Sequence, residues 1–167
     1  YELARVMAEP ETEAQFPGLG LALVQAFVDS TGDDPRVRRY LALALGRLES
    51  PPAETVAALS AALDDPDSET VISVIWALAL LGEETVVPHI VGMFGAQDPG
   101  VRKMAVYALG VLPDDGSHTT LRAALDDPVP DVQWNAAVSL ARHGDGRGVT
   151  VLRRMLDRDY VTRQVTP

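Results

Sequence analysis

The sequence predicts an all-α protein, a right-handed α-solenoid of about five helical hairpins with a period near 31 residues. Three observations carry this. Apolar residues recur in parallel columns 31 positions apart: Leu63, Phe94, Leu125 and Leu156; Leu59, Ile90, Leu121 and Leu152; Val56, Val87, His118 and Val149. Asp-Pro recurs at Asp34, Asp65, Asp98 and Asp127, each time ahead of a stretch with helical spacing. No segment shows the two-residue alternation of a half-buried strand.

The elements follow in order. Residues 1–32 read as a degenerate leading copy: Tyr1–Ala8 ends a first helix, Glu9–Gly18 is a polar loop, and Leu19–Val28 is a second helix. Full copies occupy 33–64, 65–95, 96–126 and 127–157, and 158–167 starts a further copy or forms a tail. First helices are expected to begin at Val37, Thr70, Val101 and Val132. From Val37 the stripe Val37, Tyr40, Leu41, Ala44, Leu45 and Leu48 has the i, i+3, i+4, i+7 spacing of a core-facing helix. The Asp before each Pro is read as the cap, and Pro suits the first turn. Gly46, Gly82, Gly110 and Gly144 mark the ends. The second helices carry the Val56, Leu59, Leu63 type of stripe, and Pro51-Pro52 is an insertion in the turn before the first of them. A single hairpin cannot bury its stripe alone, so stacked copies share one continuous core.

Composition narrows the function. Of 167 residues 47% are hydrophobic and 23% charged, the balance of a folded, soluble chain. Without cysteine there is no disulfide framework and no thiolate chemistry. The net charge of −10 disfavours non-specific binding to nucleic acid or to anionic membranes. It is unevenly spread: residues 1–100 hold 16 acids and 5 bases, residues 101–167 hold 8 and 9. Only Lys103 of the 14 bases is a lysine, a bias read as compositional. The most apolar stretch, Val71–Leu81, is far shorter than the roughly 20 residues that span a bilayer. The expected compartment is the cytoplasm. A chain that begins at Tyr1 and ends inside a new unit reads as part of something longer, compatible with a removed signal peptide.

Residues that could carry chemistry have simpler explanations. His89, His118 and His143 lie in three different columns, without the i, i+4 pairing of a metal site, so no metal is expected. The acid pairs Asp64-Asp65, Asp114-Asp115 and Asp126-Asp127 fall at turns, where carboxylates cap helices. Gly144–Gly148 follows a helix, not a strand, and reads as a turn rather than a phosphate loop. No catalytic residue and no cofactor are expected.

The run from Asp98 to Leu112 resembles the HEAT repeat, in the short bacterial form known as the phycobilisome-lyase-type HEAT-like repeat. Asp34–Leu48 and Asp127–Leu140 match it too, whereas the copy at Asp65–Gly82 has Val71-Ile72 where the family usually has Arg. The resemblance covers residues 33–160 or so and implies a solenoid whose second helices line the concave side. Relatives include an iron hydroxylase with His-Glu dipeptides. Here the dipeptides are His89-Ile90, His118-Thr119 and His143-Gly144, so that activity is not carried over. Others are DNA glycosylases with a basic concave face, and three arginines do not make such a stripe. Nothing marks a bilin site.

The expected function is therefore non-catalytic: a scaffold or recognition module for another protein or peptide, without nucleic acid or membrane. The alternative is an accessory domain of a lyase- or hydroxylase-type enzyme whose catalytic residues lie elsewhere. Two surfaces are candidates. The concave ridge would use Val91, Arg122, Arg153 and Arg154, small and apolar at its start and basic at its end, suited to a partner with an acidic end. An apolar face on the second full copy would use Val71, Ile72, Trp76 and Leu80, joined by Tyr107 and Trp134, as a homodimer or partner surface.

Overall fold

The computed structural model describes residues 16–32, 34–113 and 116–165. Among these residues every regular element is helical. The α-helices are α1 (Leu19–Asp29), α2 (Pro35–Leu45), α3 (Thr55–Ala61), α4 (Ser68–Leu81), α5 (Val87–Met93), α6 (Pro99–Leu109), α7 (His118–Ala123), α8 (Pro130–Arg142), α9 (Val149–Met155) and α10 (Arg158–Val165). Long first helices (α2, α4, α6, α8) alternate with short second helices (α3, α5, α7, α9), each extended by one 3₁₀ turn. This is the all-α hairpin fold read from the repeat. The expected helix at Tyr1–Ala8 and most of the loop that follows it lie outside the described residues.

The first helices begin at Pro35, Ser68, Pro99 and Pro130, each two residues before the expected position. Asp34 and Asp98 cap α2 and α6 as expected, accepting the backbone N–H groups of Arg36 and of Gly100 and Val101. Asp65 and Asp127 are not caps. In those copies the helix starts later, so Asp67 caps α4 through the Thr70 N–H, and Val129 precedes α8. The two aspartates are thereby released to face arginines.

The chain forms two compact units, residues 1–89 and 90–167. In the first, α2 packs on α1 and α4, and α3 with its 3₁₀ turn packs on α4. Phe27, Leu45, Leu59, Ile75 and Leu78 are fully enclosed, each worth about 1.5–3 kcal/mol of burial. In the second, α8 packs on α6, α7 and α9, and α10 packs on α9, around Leu109, Leu112, Leu121 and Leu140.

The expected core stripe holds on α4, α6 and α8, but α2 departs from it. Val37 and Tyr40 are exposed, because α2 makes its contacts with α1 and α4 and leaves this edge to solvent. Conversely, positions off that stripe are buried: Arg38 and Ala42 on α2, and on α4 Ile75 and Val71, the last expected on the apolar surface. Ala42, Ile75, Val106 and Ala137 share one column, and all four are fully enclosed. First helices pack side by side within each unit, α2 on α4 and α6 on α8, which buries a second row of positions. Close approach explains two glycines: a methyl on Gly46 would meet the Ala77 backbone, and one on Gly110 would collide with Ser139. Ser139 uses that proximity to donate its hydroxyl to the Val106 carbonyl at 3.1 Å.

Candidate interaction surfaces

The charged groups inside each unit are matched. Arg38 Nε lies 2.8 Å from Asp65 Oδ2, and its guanidinium also donates to the Phe27 carbonyl and the Thr31 hydroxyl while stacking 4.6 Å above the Phe27 ring. Sixty-four positions on, Arg102 grips Asp127 through Nε at 2.8 Å and Nη2 at 3.1 Å, and donates to the Ala96 and Gln97 carbonyls. The column holds Val71 and Gln133 in the other two copies. Burial alone would raise the Asp127 pKa; bonds from Arg102 and the Val129 N–H outweigh it and hold the carboxyl below its ordinary value. These rungs tie one copy to the next.

On the expected ridge the two units differ. In the first, Ala57 and Ala61 are exposed and Ser60 is half-buried, so the surface is small and uncharged. In the second, Val91 is half-buried, and Thr119 and Ala123 are exposed. Arg122 is not free: Nε and Nη2 donate to Asp145 Oδ2 at 3.0 and 2.8 Å. Asp145 also accepts the Arg147 N–H, and this bond, followed by Arg122, draws its pKa below the usual carboxylate range. Arg153 and Arg154 are exposed and have no carboxylate partner among the described residues.

The structure also joins residues that the column argument kept apart. The rings of His118 and His143 lie 5.2 Å apart. His143 Nε2 is 3.0 Å from the Leu109 carbonyl, which can only accept, so this nitrogen carries the hydrogen. His118 Nδ1 is 3.9 Å from Asp145, and its Nε2 is enclosed without a partner. The signal was available: His143 ends a first helix and His118 opens the second helix of the copy before it. Among the described residues no three His, Asp or Glu groups are placed to hold a metal ion.

The apolar face shrinks. Val71 is buried and so unavailable as a surface residue. Ile72 and Trp76 are half-buried, and Leu80 is exposed. In the second unit Tyr107 lies under the Arg142 guanidinium at 5.5 Å, and Trp134 is half-buried with its indole N–H enclosed.

One surface residue was missed. Leu156 belongs to a column expected to be covered, and Leu63 in that column is 7% exposed; Leu156 is 86% exposed. Spacing carried the signal. The column residue precedes the next first helix by five positions at Leu63–Ser68, Phe94–Pro99 and Leu125–Pro130, but by two at Leu156–Arg158. The helix that follows is three residues out of step, and Leu156 stays bare.

No helix among the described residues is long and apolar enough to cross a membrane. The sequence matches the family of HEAT repeats over residues 21–110 and 92–166, and the chain belongs to that family. A comparison with curated proteins finds no match.

Proposed function

We propose that this HEAT-repeat chain is a non-catalytic protein-recognition module whose partner docks on the second-helix ridge of its C-terminal unit, along α7 and α9. One observation carries the reading. Among the described residues Arg36, Arg38, Arg39, Arg102 and Arg122 each meet a carboxylate, while the exposed neighbours Arg153 and Arg154 do not. Arg153 stands 31 residues after Arg122, in its column. Unpaired guanidinium groups on an exposed ridge favour a partner that brings acidic side chains, because forked donors bind carboxylates bidentately. The rungs elsewhere are structural and offer a partner nothing.

The test is a comparative capture. Immobilised wild-type chain and the Arg153→Glu, Arg154→Glu variant are exposed to the same lysate, and bound proteins are quantified by mass spectrometry. A protein held by the wild type, eluted by salt and lost to the double variant supports the reading. Identical capture by both removes the electrostatic basis. Both substituted residues are exposed, so the variant should keep its helical circular dichroism.

A further inference from the structure

Two columns that are apolar in the other copies hold histidines in one. Val56, Val87 and Val149 share the column of His118, and Leu81 and Leu112 share that of His143. The backbone anchors this alignment: Gly82 follows Leu81 and Gly144 follows His143, both in the left-handed region, at φ 70° and 75°. Valine at one place and leucine at the other are what the repeat uses for packing. Both are replaced in the same copy, and the fold brings the replacements together. His118 opens α7, His143 follows α8, α7 packs on α8, and the two rings lie 5.2 Å apart. One histidine alone would read as a tolerated substitution in a packing column. Two at neighbouring positions of one copy read as a pair that acts together.

Their hydrogen bonds decide which nitrogens are available. His143 Nε2 donates to the Leu109 carbonyl at 3.0 Å, so the neutral ring keeps its lone pair on Nδ1. His118 Nδ1 faces Asp145 Oδ2 at 3.9 Å, an oxygen that can only accept, held in place by Arg122 and the Arg147 N–H. That carboxylate favours the hydrogen on Nδ1 and leaves the lone pair on Nε2, which is enclosed and meets no donor. Each ring is thus oriented by an oxygen behind one nitrogen, with the other nitrogen left to bind, the arrangement of metal-ligating histidines. The spacing fits as well: two imidazoles on one tetrahedral ion, each at about 2.0–2.1 Å, hold their ring centres about 5 Å apart.

We propose that His118 Nε2 and His143 Nδ1 together bind one divalent transition-metal ion, of the imidazole-preferring class to which zinc belongs. Among the described residues no third His, Asp or Glu joins them, so solvent completes the coordination. The site is therefore an open, exchangeable one rather than a closed structural one. The His118 side chain is 22% exposed, which gives the ion and its waters a way in. A bound ion would clamp the start of α7 to the end of α8, where the first unit uses Val56 and Leu81.

The test uses the full chain without an affinity tag, at neutral pH. It is titrated with Zn²⁺ by calorimetry and with Co²⁺ by visible absorption, whose d–d bands report the coordinating groups. One ion per chain should bind saturably, and Zn²⁺ should raise the thermal midpoint, since only the folded chain assembles the pair. His118→Val and His143→Leu restore the residues that other copies carry, so each should keep its helical circular dichroism. Each should weaken binding by more than about tenfold, the scale lost with an outer-shell partner alone. If either variant loses its helix, His118→Gln or His143→Gln takes its place. His89→Ala, at an exposed histidine outside the pair, should leave binding unchanged, and excess Mg²⁺ should not compete. Absence of saturable binding, or binding that survives both substitutions, overturns the proposal. Loss of binding on His89→Ala, or displacement by Mg²⁺, also overturns it, because the ion then sits on other groups.

Discussion

The two units solve the same packing problem with opposite surfaces. In both, first helices lie side by side through one column, Ala42 with Ile75 in one and Val106 with Ala137 in the other. In both, an arginine one turn into the first helix reaches forward to the aspartate of the next copy's Asp-Pro pair. Outside, the resemblance ends. Residues 1–89 hold 15 acids and five bases, whereas residues 90–167 hold nine of each. The ridge of the first is alanine and serine; that of the second carries arginine. The interior columns are fixed by nearest-neighbour stacking and the outer columns are free to vary, so specificity in such a fold is written where stability does not depend on it.

Breaking the shared rung should give the largest effect. Asp127 is 3% exposed and Arg102 13%, so Asp127→Ala leaves an enclosed guanidinium without its counter-charge. Loss of one partner of a buried pair costs about 3–5 kcal/mol. Asp65→Ala should cost a similar amount in the first unit, because Arg38 is as enclosed as Arg102. Urea unfolding of the two variants measures this. If one substitution is silent, the rung is not what the units share.

How far the fold was legible depends on which columns one reads. Periods of 31 in Leu59, Ile90, Leu121 and Leu152 placed the second helices, and glycines marked the ends of the first, with Gly82 in the left-handed region at φ 70° as a helix-ending residue. Arg38 and Val71 lie off the stripe and yet inside, for a physical reason. A one-helix stripe shows only the face toward its own hairpin, and the row between adjacent first helices holds Arg38 and Ala42 in one copy and Val71 and Ile75 in the next. No single-helix pattern reveals that an arginine is inside, because its burial depends on Asp65, 27 residues away. The ridge arginines were legible as exposed, but not that Asp145 occupies Arg122 and leaves Arg153 open. That distinction needs the turn geometry. Leu156 was legible only from the two-residue spacing to α10, which a column argument ignores.

Acid should sharpen the comparison with a smaller effect than removing a rung. Asp127, Asp67 and Asp145 all have folded pKa values below the ordinary one. For Asp127 and Asp67, burial pushes upward and is outweighed by bonds, from Arg102 in one case and from Thr70 and Arg39 in the other. A carboxyl with a depressed folded pKa contributes stability above its unfolded value, about 3.9, and loses it as pH falls through the folded value. The chain should therefore hold level stability from neutral pH to about 5, then weaken below about 4. Asp127→Asn should be less stable at neutral pH and should lose less than the wild type on going to acid. Thermal unfolding across that range is the measurement, and a slope unchanged by the substitution would remove Asp127 from the account.

The smallest effect separates the units at one column on their outer edge. Arg39 and Lys103 are equivalent positions, each reaching forward to the start of the next first helix. Arg39 grips Asp67 with both oxygens engaged at 2.8–2.9 Å, with side chains 30% and 27% exposed. Lys103 stands 3.6 Å from Asp131, at 44% and 52% exposure. A forked, half-sheltered pair keeps more of its Coulomb attraction than a point charge in solvent, where entropy and salt take most of it. Arg39→Ala should therefore destabilise by about 1 kcal/mol and Lys103→Ala by about 0.3 kcal/mol. Raising salt from 0.05 to 0.5 M, across which the screening length falls from roughly 14 to 4 Å, should erase the second difference and leave part of the first. The decisive variant is Arg39→Lys. If geometry rather than charge makes the first pair stronger, this change should cost most of what alanine costs; if the lysine variant matches the wild type, the two edges differ only in solvent access and the forked pairing contributes nothing.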